Sequence, residues 1–445
     1  MGSTSQLDAV SKLNSGRVYP VDVGADAAGE PLIDFLATRY SHTSRDAWAQ
    51  HCTAGRVSIG GQTAASDAVL RAGDRVEYHR PPWHEPVAPR WLWSLHRDEH
   101  VLVLCKPSGL PVLPSELFYE STVLSLLRRQ HREIQPVHRL GVGTSGVLLC
   151  ARSALARRAL AMALEARQVK KTYRALVQGL VEPDELTIGC PIGPVRHASL
   201  SGSCQSIHAA RPEGGPGAKA AMSHLRVVAR DAARGTSLLE VTIPTGRPHQ
   251  IRIHTAVAGH PLVGDPLYAA GGLPRREAKV GDGDSAGDGD ADADADTDAD
   301  ADASEAADRP PLPRDTGYLL HAWRVEFPHP ATGEAIMLHA PPPAPLCVAG
   351  ETPLEEAAAC ALRETPADFC LGDDDGRVGG LVDGHDDASG ESGGAGVTVQ
   401  AVADPPAHHH PVGRRKRGKG ARSEAEIAAI RAERAAKRQA AEACT

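Results

Sequence analysis

The 445-residue sequence predicts an α+β fold, and three features carry that expectation. Apolar runs of strand length recur at 101–105, 147–150, 170–178, 222–228, 237–244 and 318–327. Segments at helical spacing are fewer and lie between other elements, at 32–40, 123–127 and 155–163. Hydrophobic residues make up 41 %, enough for a substantial core, and no apolar run reaches the roughly 18 residues of a membrane helix.

Residues 1–30 are small, polar and aperiodic, and are expected to be a disordered leader. A compact unit follows over 31–87. Leu32, Phe35, Leu36 and Tyr40 mark one helix, and Trp48 and Cys52 a second. Residues 55–61 read as a strand and tight turn, and 70–78 as a turn and strand. The proline-rich run 81–86 reads as a stiff extended connector.

The strand at 101–105 stops at the turn Lys106-Pro107-Ser108-Gly109. An amphipathic helix over 122–132 turns Val123, Leu126 and Leu127 inward, and a surface helix over 153–168 aligns Leu155, Ala159, Met162 and Ala163. Residues 170–178 alternate as a strand, 196–219 are polar and glycine-rich without a period, and 222–228 and 237–244 form a strand pair. From 281 to 308 the chain carries 12 acids and no base, so 276–312 is expected to be a disordered acidic insertion. A calcium loop starting at Asp282 fails, because its fifth and twelfth places are Ala286 and Ala293. Strands resume at 318–327. Residues 346–445 read as a low-complexity tail, with a basic cluster at 414–419 and a short helix opened by the capping pair Ser423 and Glu426.

The net charge of −8 conceals segregation, since residues 31–275 hold 29 Lys/Arg against 19 Asp/Glu. A basic body suits a polyanionic partner bound through phosphates. Nine cysteines stand singly with no Cys-x-x-Cys pair, which argues against a zinc site or a disulfide framework and suits a reducing compartment.

The stretch Pro136-Val137-His138-Arg139-Leu140-Gly141-Val142-Gly143-Thr144-Ser145-Gly146 is the centre of the chain. Its Gly-x-Gly-x-x-Gly spacing matches the dinucleotide fingerprint by letter, but that site needs a strand before the glycines and a helix after them. Here the apolar run follows the glycines and reads as a strand. A nucleotide-dependent enzyme is therefore disfavoured.

His138-Arg139-Leu140-x-x-x-Thr144-Ser145-Gly146 resembles the active-site motif of the RluA-type pseudouridine synthases, in a eukaryote-like branch with His-Arg-Leu-Gly. Two further segments strengthen the resemblance: Lys170-Lys171-Thr172-Tyr173 to Gly179, and the long match from Thr245-Gly246-Arg247-Pro248-His249-Gln250-Ile251-Arg252 to Tyr268. It implies a pseudouridine synthase domain over 88–345, with a mixed, mostly antiparallel sheet split by a central cleft. The unit at 31–87 resembles the small RNA-binding module of ribosomal small-subunit protein four.

The resemblance also implies the chemistry: uridine in structured RNA is flipped out, its base detached from the sugar and re-attached through carbon five. Tyr173 would stack on the base, and Arg252 would hold the family's catalytic carboxylate ionised. That carboxylate belongs at Gly141, which has no side chain. Lys106, Arg139 and Arg247 would contact phosphates, joined by His138, Thr144, His249 and Gln250. The two histidines are expected to pack and hydrogen-bond rather than act as acid–base catalysts. Arg39, Arg45, Arg56 and Arg71 would grip RNA from the small unit. No metal, nucleotide or redox cofactor is implied, the partner is RNA, no membrane is involved, and the expected state is a monomer. Gly141 leaves a second outcome open: an RNA-binding protein of the same fold that no longer reacts.

Overall fold

A computed structural model describes residues 9–40, 43–115, 117–129, 131–196, 206–275, 316–365, 369–372 and 378–379. The acidic insertion, the basic cluster and the helix expected from 423 lie outside these residues. The chain divides into a small unit, Ser15–Pro82, and a larger body.

In the small unit the helices Leu32–Arg39 and Arg45–Thr53 accompany a four-stranded antiparallel sheet. The first helix buries Leu32, Ile33, Phe35 and Leu36. Ser44 caps the second by accepting from the Ala47 N–H, and Trp48 and Cys52 enter the same core. The sheet runs in the order Arg17–Asp22, Arg75–Arg80, Val57–Ile59, Gln62–Thr63.

Arg17–Asp22 corrects the leader reading of residues 1–30. Pro20 hides the alternation of this strand, and is tolerated because the strand lies at the sheet edge. Ala9–Leu13 is also a strand and pairs antiparallel with His84–Pro89 in the body. The proline-rich stretch is thus part of a ladder instead of a spacer.

The body is built on a mixed, mostly antiparallel sheet. Its central strands run in the order Ser223–Asp231, Thr236–Thr242, Lys170–Gln178, Leu320–Pro328, Ser145–Ala151, Val101–Lys106, Trp91–Arg97. One row crosses five of them at a common register: Val241, Tyr173, Ala322, Gly146 and Lys106. Among the described residues the one parallel contact is Ser145–Gly146 against His321–Ala322. Beyond it Ser145–Ala151 and Leu320–Pro328 are no longer paired, and a small cavity there, about the size of one water, is lined by His138, Val147, Lys171, Tyr173 and Arg324.

Apolar layers cover both faces, so the inner strands read as continuous apolar runs. Leu102, Leu104, Leu148, Tyr173 and Ala175 face one core; Val101, Val103, Val147, Leu149 and Val325 face the other. Helix Ala154–Glu165, capped by Ser153, packs into the second core through Ala156, Leu160 and Ala163. This corrects the expected face, since Leu155 and Met162 are 57 % and 59 % exposed. Small residues win the inner row because alanine lets the helix backbone lie close to the sheet.

The body also extends past 345. Helix Leu354–Glu364 buries Leu354, Ala358 and Leu362 in the second core, so the low-complexity reading of the tail fails there. Its apolar row has only three members in an Ala/Glu-rich run, which masked the period. The unassigned stretch 196–219 contributes to a hairpin of Ile192–Arg196 with Ser206–Ala210.

Candidate active site

The glycine loop is pinned to the sheet from several sides. Gly146 adopts φ +104°, and a Cβ there would stand 2.2 Å from the Ala322 carbonyl oxygen, so only glycine fits this approach. A strand, not a helix, springs from it. Lys106 is fully buried, and its Nζ donates to the carbonyls of Pro107 (2.7 Å), Leu110 (2.8 Å) and Val142 (3.3 Å). Ser108 Oγ donates to the Gly143 carbonyl at 2.8 Å, and the Gly109 N–H to Val142. The Lys-Pro-x-Gly turn and the glycine loop are therefore one stapled unit. Burial pulls the Lys106 pKa down to about 7, and its three donors are spent on carbonyls inside the protein.

His138 accepts the Leu149 N–H on Nε2 at 3.1 Å, and burial drives its pKa to about 3, so it is a neutral structural acceptor. Arg139 next to it is exposed. Thr144 is buried, its N–H donating to the Gly141 carbonyl and its Oγ1 lying 3.3 Å from Tyr318 Oη.

Helix Gln250–Val257 brings the third motif to this loop. Gln250 accepts from Thr245 Oγ1 (2.8 Å) and the Arg247 N–H (3.0 Å), and donates to the Met222 carbonyl (2.7 Å) and Ser223 Oγ (3.0 Å). It is saturated and buried. Thr144 and Gln250, expected as RNA contacts, are like Lys106 buried and hydrogen-bonded within the protein. Arg247 is half-buried, with Nε donating to the Ala220 carbonyl.

His249 precedes the helix at φ +54°, with Nδ1 2.8 Å from Tyr268 Oη. Because Tyr268 donates its proton to the His208 carbonyl, His249 must be the donor in that pair. Burial, then the Arg252 charge, push its pKa to about 3. Both histidines stay neutral and held by hydrogen bonds.

Arg252 is 2 % exposed and meets Asp265 through two hydrogen bonds of 2.7 Å, Nε to Oδ2 and Nη2 to Oδ1. Burial opposes the charge, but the Asp265 hydrogen bonds prevail and hold the guanidinium pKa above its usual value. Asp265 also accepts the N–H groups of Leu267 and Tyr268, which commits it to the framework. Arg252 Nη1 is buried without a hydrogen-bond partner among the described residues.

The residue that joins these motifs is one that sequence reasoning did not single out. Tyr318 lays its ring 4.1 Å from the Arg252 guanidinium. Its hydroxyl would stand 2.7 Å from a Cβ on Gly141, and its ring carbons 2.8 and 2.9 Å from a Cβ on Gly143. Tyr173, Leu140, Ile251 and Tyr318 belong to the same hydrophobic core. Burial raises the Tyr173 phenol pKa well above its usual value, keeping it neutral. Tyr318 had no spacing signal, since it follows the acidic insertion and lies 177 positions from Gly141. Arg39, Arg45, Arg56 and Arg71 are all exposed on the small unit, with Arg45 paired to Asp34 at 2.9 Å.

Tyr173 lies at the split of the mixed sheet, and the glycine loop and the buried Arg252 are joined through Tyr318. The chain belongs to the RNA pseudouridine synthases. The family model described as RNA pseudouridylate synthase matches residues 100–257. The chain is 39 % identical over 358 residues to RNA pseudouridine synthase 5 of Oryza sativa subsp. japonica, covering 72 % of this chain and 85 % of the relative. It is 38 % identical over 350 residues to RNA pseudouridine synthase 5 of Arabidopsis thaliana, covering 72 % and 90 %. The solved structure of human RNA pseudouridylate synthase domain containing 1 is 23 % identical, with a TM-score of 0.38 and 62 % and 95 % coverage.

Proposed function

We propose that this chain converts uridine to pseudouridine in structured RNA. The observation that supports the reading is Tyr318, which touches Arg252 of the third motif and faces Gly141 of the first, in the core that also holds Tyr173 of the second. Flipping the uridine out of its stack costs on the order of a few kcal/mol, and stacking on Tyr173 returns roughly 1–3 kcal/mol. Arg139, exposed next to the loop, and the half-buried Arg247 at the helix entrance would meet flanking phosphates. Arg39, Arg56 and Arg71 on the small unit add a sequence-independent grip on RNA. The reaction is an isomerisation with no net gain or loss of electrons, so it calls for no redox partner.

Making the carbon–carbon link displaces the hydrogen on carbon five, which gives a direct assay. Total RNA labelled with [5-³H]uridine, from a strain deleted for this chain's gene, should release tritium to water when the purified protein is added. New pseudouridines should map to discrete positions. Release no greater than in a protein-free blank would sink the proposal.

A further inference from the structure

On the reading that this cluster is the pseudouridylation site, we infer that the Tyr318 hydroxyl is the polar group that meets the sugar–base junction of the flipped uridine. It stands where a side chain at position 141 would otherwise project. Within 4 Å of a Cβ built on Gly141, the described atoms are Tyr318 Oη at 2.7 Å, Thr144 Oγ1 at 3.3 Å and Tyr318 Cζ at 4.0 Å, and none belongs to a carboxylate.

Three features hold the phenol there. Its ring stacks on the Arg252 guanidinium, whose Nη1 is buried and without a described partner. Its hydroxyl reaches Thr144 Oγ1 at 3.3 Å. Behind it, Gly264 and Gly317 approach so closely that a Cβ on Gly264 would stand 2.2 Å from the Gly317 carbonyl oxygen. A glycine at both 141 and 143 is the geometric complement of this tyrosine, so the bare loop and the phenol form one device.

The chemistry asks for a hydrogen-bond donor at that point. When the bond between carbon one of the ribose and nitrogen one of the base breaks, its electron pair leaves with the uracil, spread over that nitrogen and the neighbouring carbonyl oxygen. The Tyr318 O–H donates to this developing charge, with the Arg252 cation behind the ring. The phenol itself forms and breaks no covalent bond. When carbon five attacks the ribose, the pair passes into the new bond, the carbon-five hydrogen leaves as a proton, and nitrogen one takes a proton up.

The test uses the full chain and the tritium-labelled RNA in single-turnover form. Tyr318→Phe keeps the ring and its stacking and removes only the hydroxyl. Its turnover should fall about 100-fold, the usual loss for one aimed donor. Its melting temperature and its affinity for the same RNA by filter binding should match wild type. Gly141→Ala, which crowds the hydroxyl, should also slow turnover, and Gly141→Ala with Tyr318→Phe should be no slower than Tyr318→Phe alone. A Phe variant as fast as wild type, one slowed only through lost RNA binding, or losses that add in the double variant would each overturn the assignment. Wild-type protein with no turnover would defeat the pseudouridylation reading itself, and this inference with it.

Discussion

Ser145 donates its hydroxyl proton to Nδ1 of His321 at 2.8 Å, across the parallel contact where the two halves of the sheet meet. The direction follows from the other ring nitrogen: Nε2 faces the Ala340 carbonyl at 3.2 Å, so it carries the proton. His321 is fully buried and couples the glycine-loop strand to the strand that carries Ala322.

This imidazole makes stability depend on pH. Burial above all, and then the Arg174 charge, lower the folded-state pKa to about 4, against about 6.5 for an unfolded histidine. Between those values the unfolded chain binds the extra proton. The contribution is therefore fully present above about pH 6.5 and is lost as pH falls towards 4. His138 and His249, each lowered to about 3, act in the same direction. Melting temperature should decline as pH drops through this window. In His321→Gln, whose amide can serve both partners without titrating, the decline should be shallower. Parallel curves for variant and wild type would remove His321 from the account.

The two glycines facing Tyr318 should respond differently to alanine. At position 141 the new methyl meets the hydroxyl oxygen; at 143 it meets ring carbons and, at 3.2 Å, the Cα of Thr316. Overpacking of this kind costs about 1–3 kcal/mol. Tyr318→Phe should restore the thermal stability of Gly141→Ala, because the colliding atom is gone. It should leave Gly143→Ala destabilised, because ring and backbone remain. Rescue of both, or of neither, by thermal denaturation would contradict the placement of the ring.

Lys106→Met offers a third check. The substitution preserves most of the side-chain volume but strands three carbonyls inside a core that water does not reach. With about 1–3 kcal/mol for each buried polar group left unpaired, partly relieved by relaxation, a loss of about 3–5 kcal/mol is expected in urea denaturation. RNA affinity measured where the variant is still folded should change little. A large affinity loss without destabilisation would return Lys106 to the phosphate contacts that its charge first suggested.

Lys106 shows where sequence reasoning reached its limit. The strands at 101–105 and 147–150 and the helices beginning near Leu32 and Val123 were legible, because apolar period encodes them locally. Burial of a charged side chain was not. Lys106, Thr144 and Gln250 have the chemistry of RNA contacts, and only tertiary geometry shows that every donor faces the protein. Tyr318 was hidden for another reason: its partners are two glycines, which carry no side-chain signal. Arg17–Asp22 was lost to a proline that an edge strand accepts, and helix Leu354–Glu364 to an apolar row diluted by alanine.

The Arg252–Asp265 pair allows site and scaffold to be separated. Both side chains are essentially removed from water, and breaking such a pair from one side costs about 3–5 kcal/mol because it leaves a buried charge uncompensated. Asp265→Asn keeps one oxygen for the N–H groups of Leu267 and Tyr268 but turns an NH2 towards the Arg252 Nε–H, so the loss combines the missing charge with one missing hydrogen bond. Adding Arg252→Met removes the orphaned cation and should recover much of the stability in urea denaturation. It should not recover tritium release, because the guanidinium behind Tyr318 is gone. A stable double variant that still isomerises uridine would make the pair a packing element, and would detach Arg252 from the reaction.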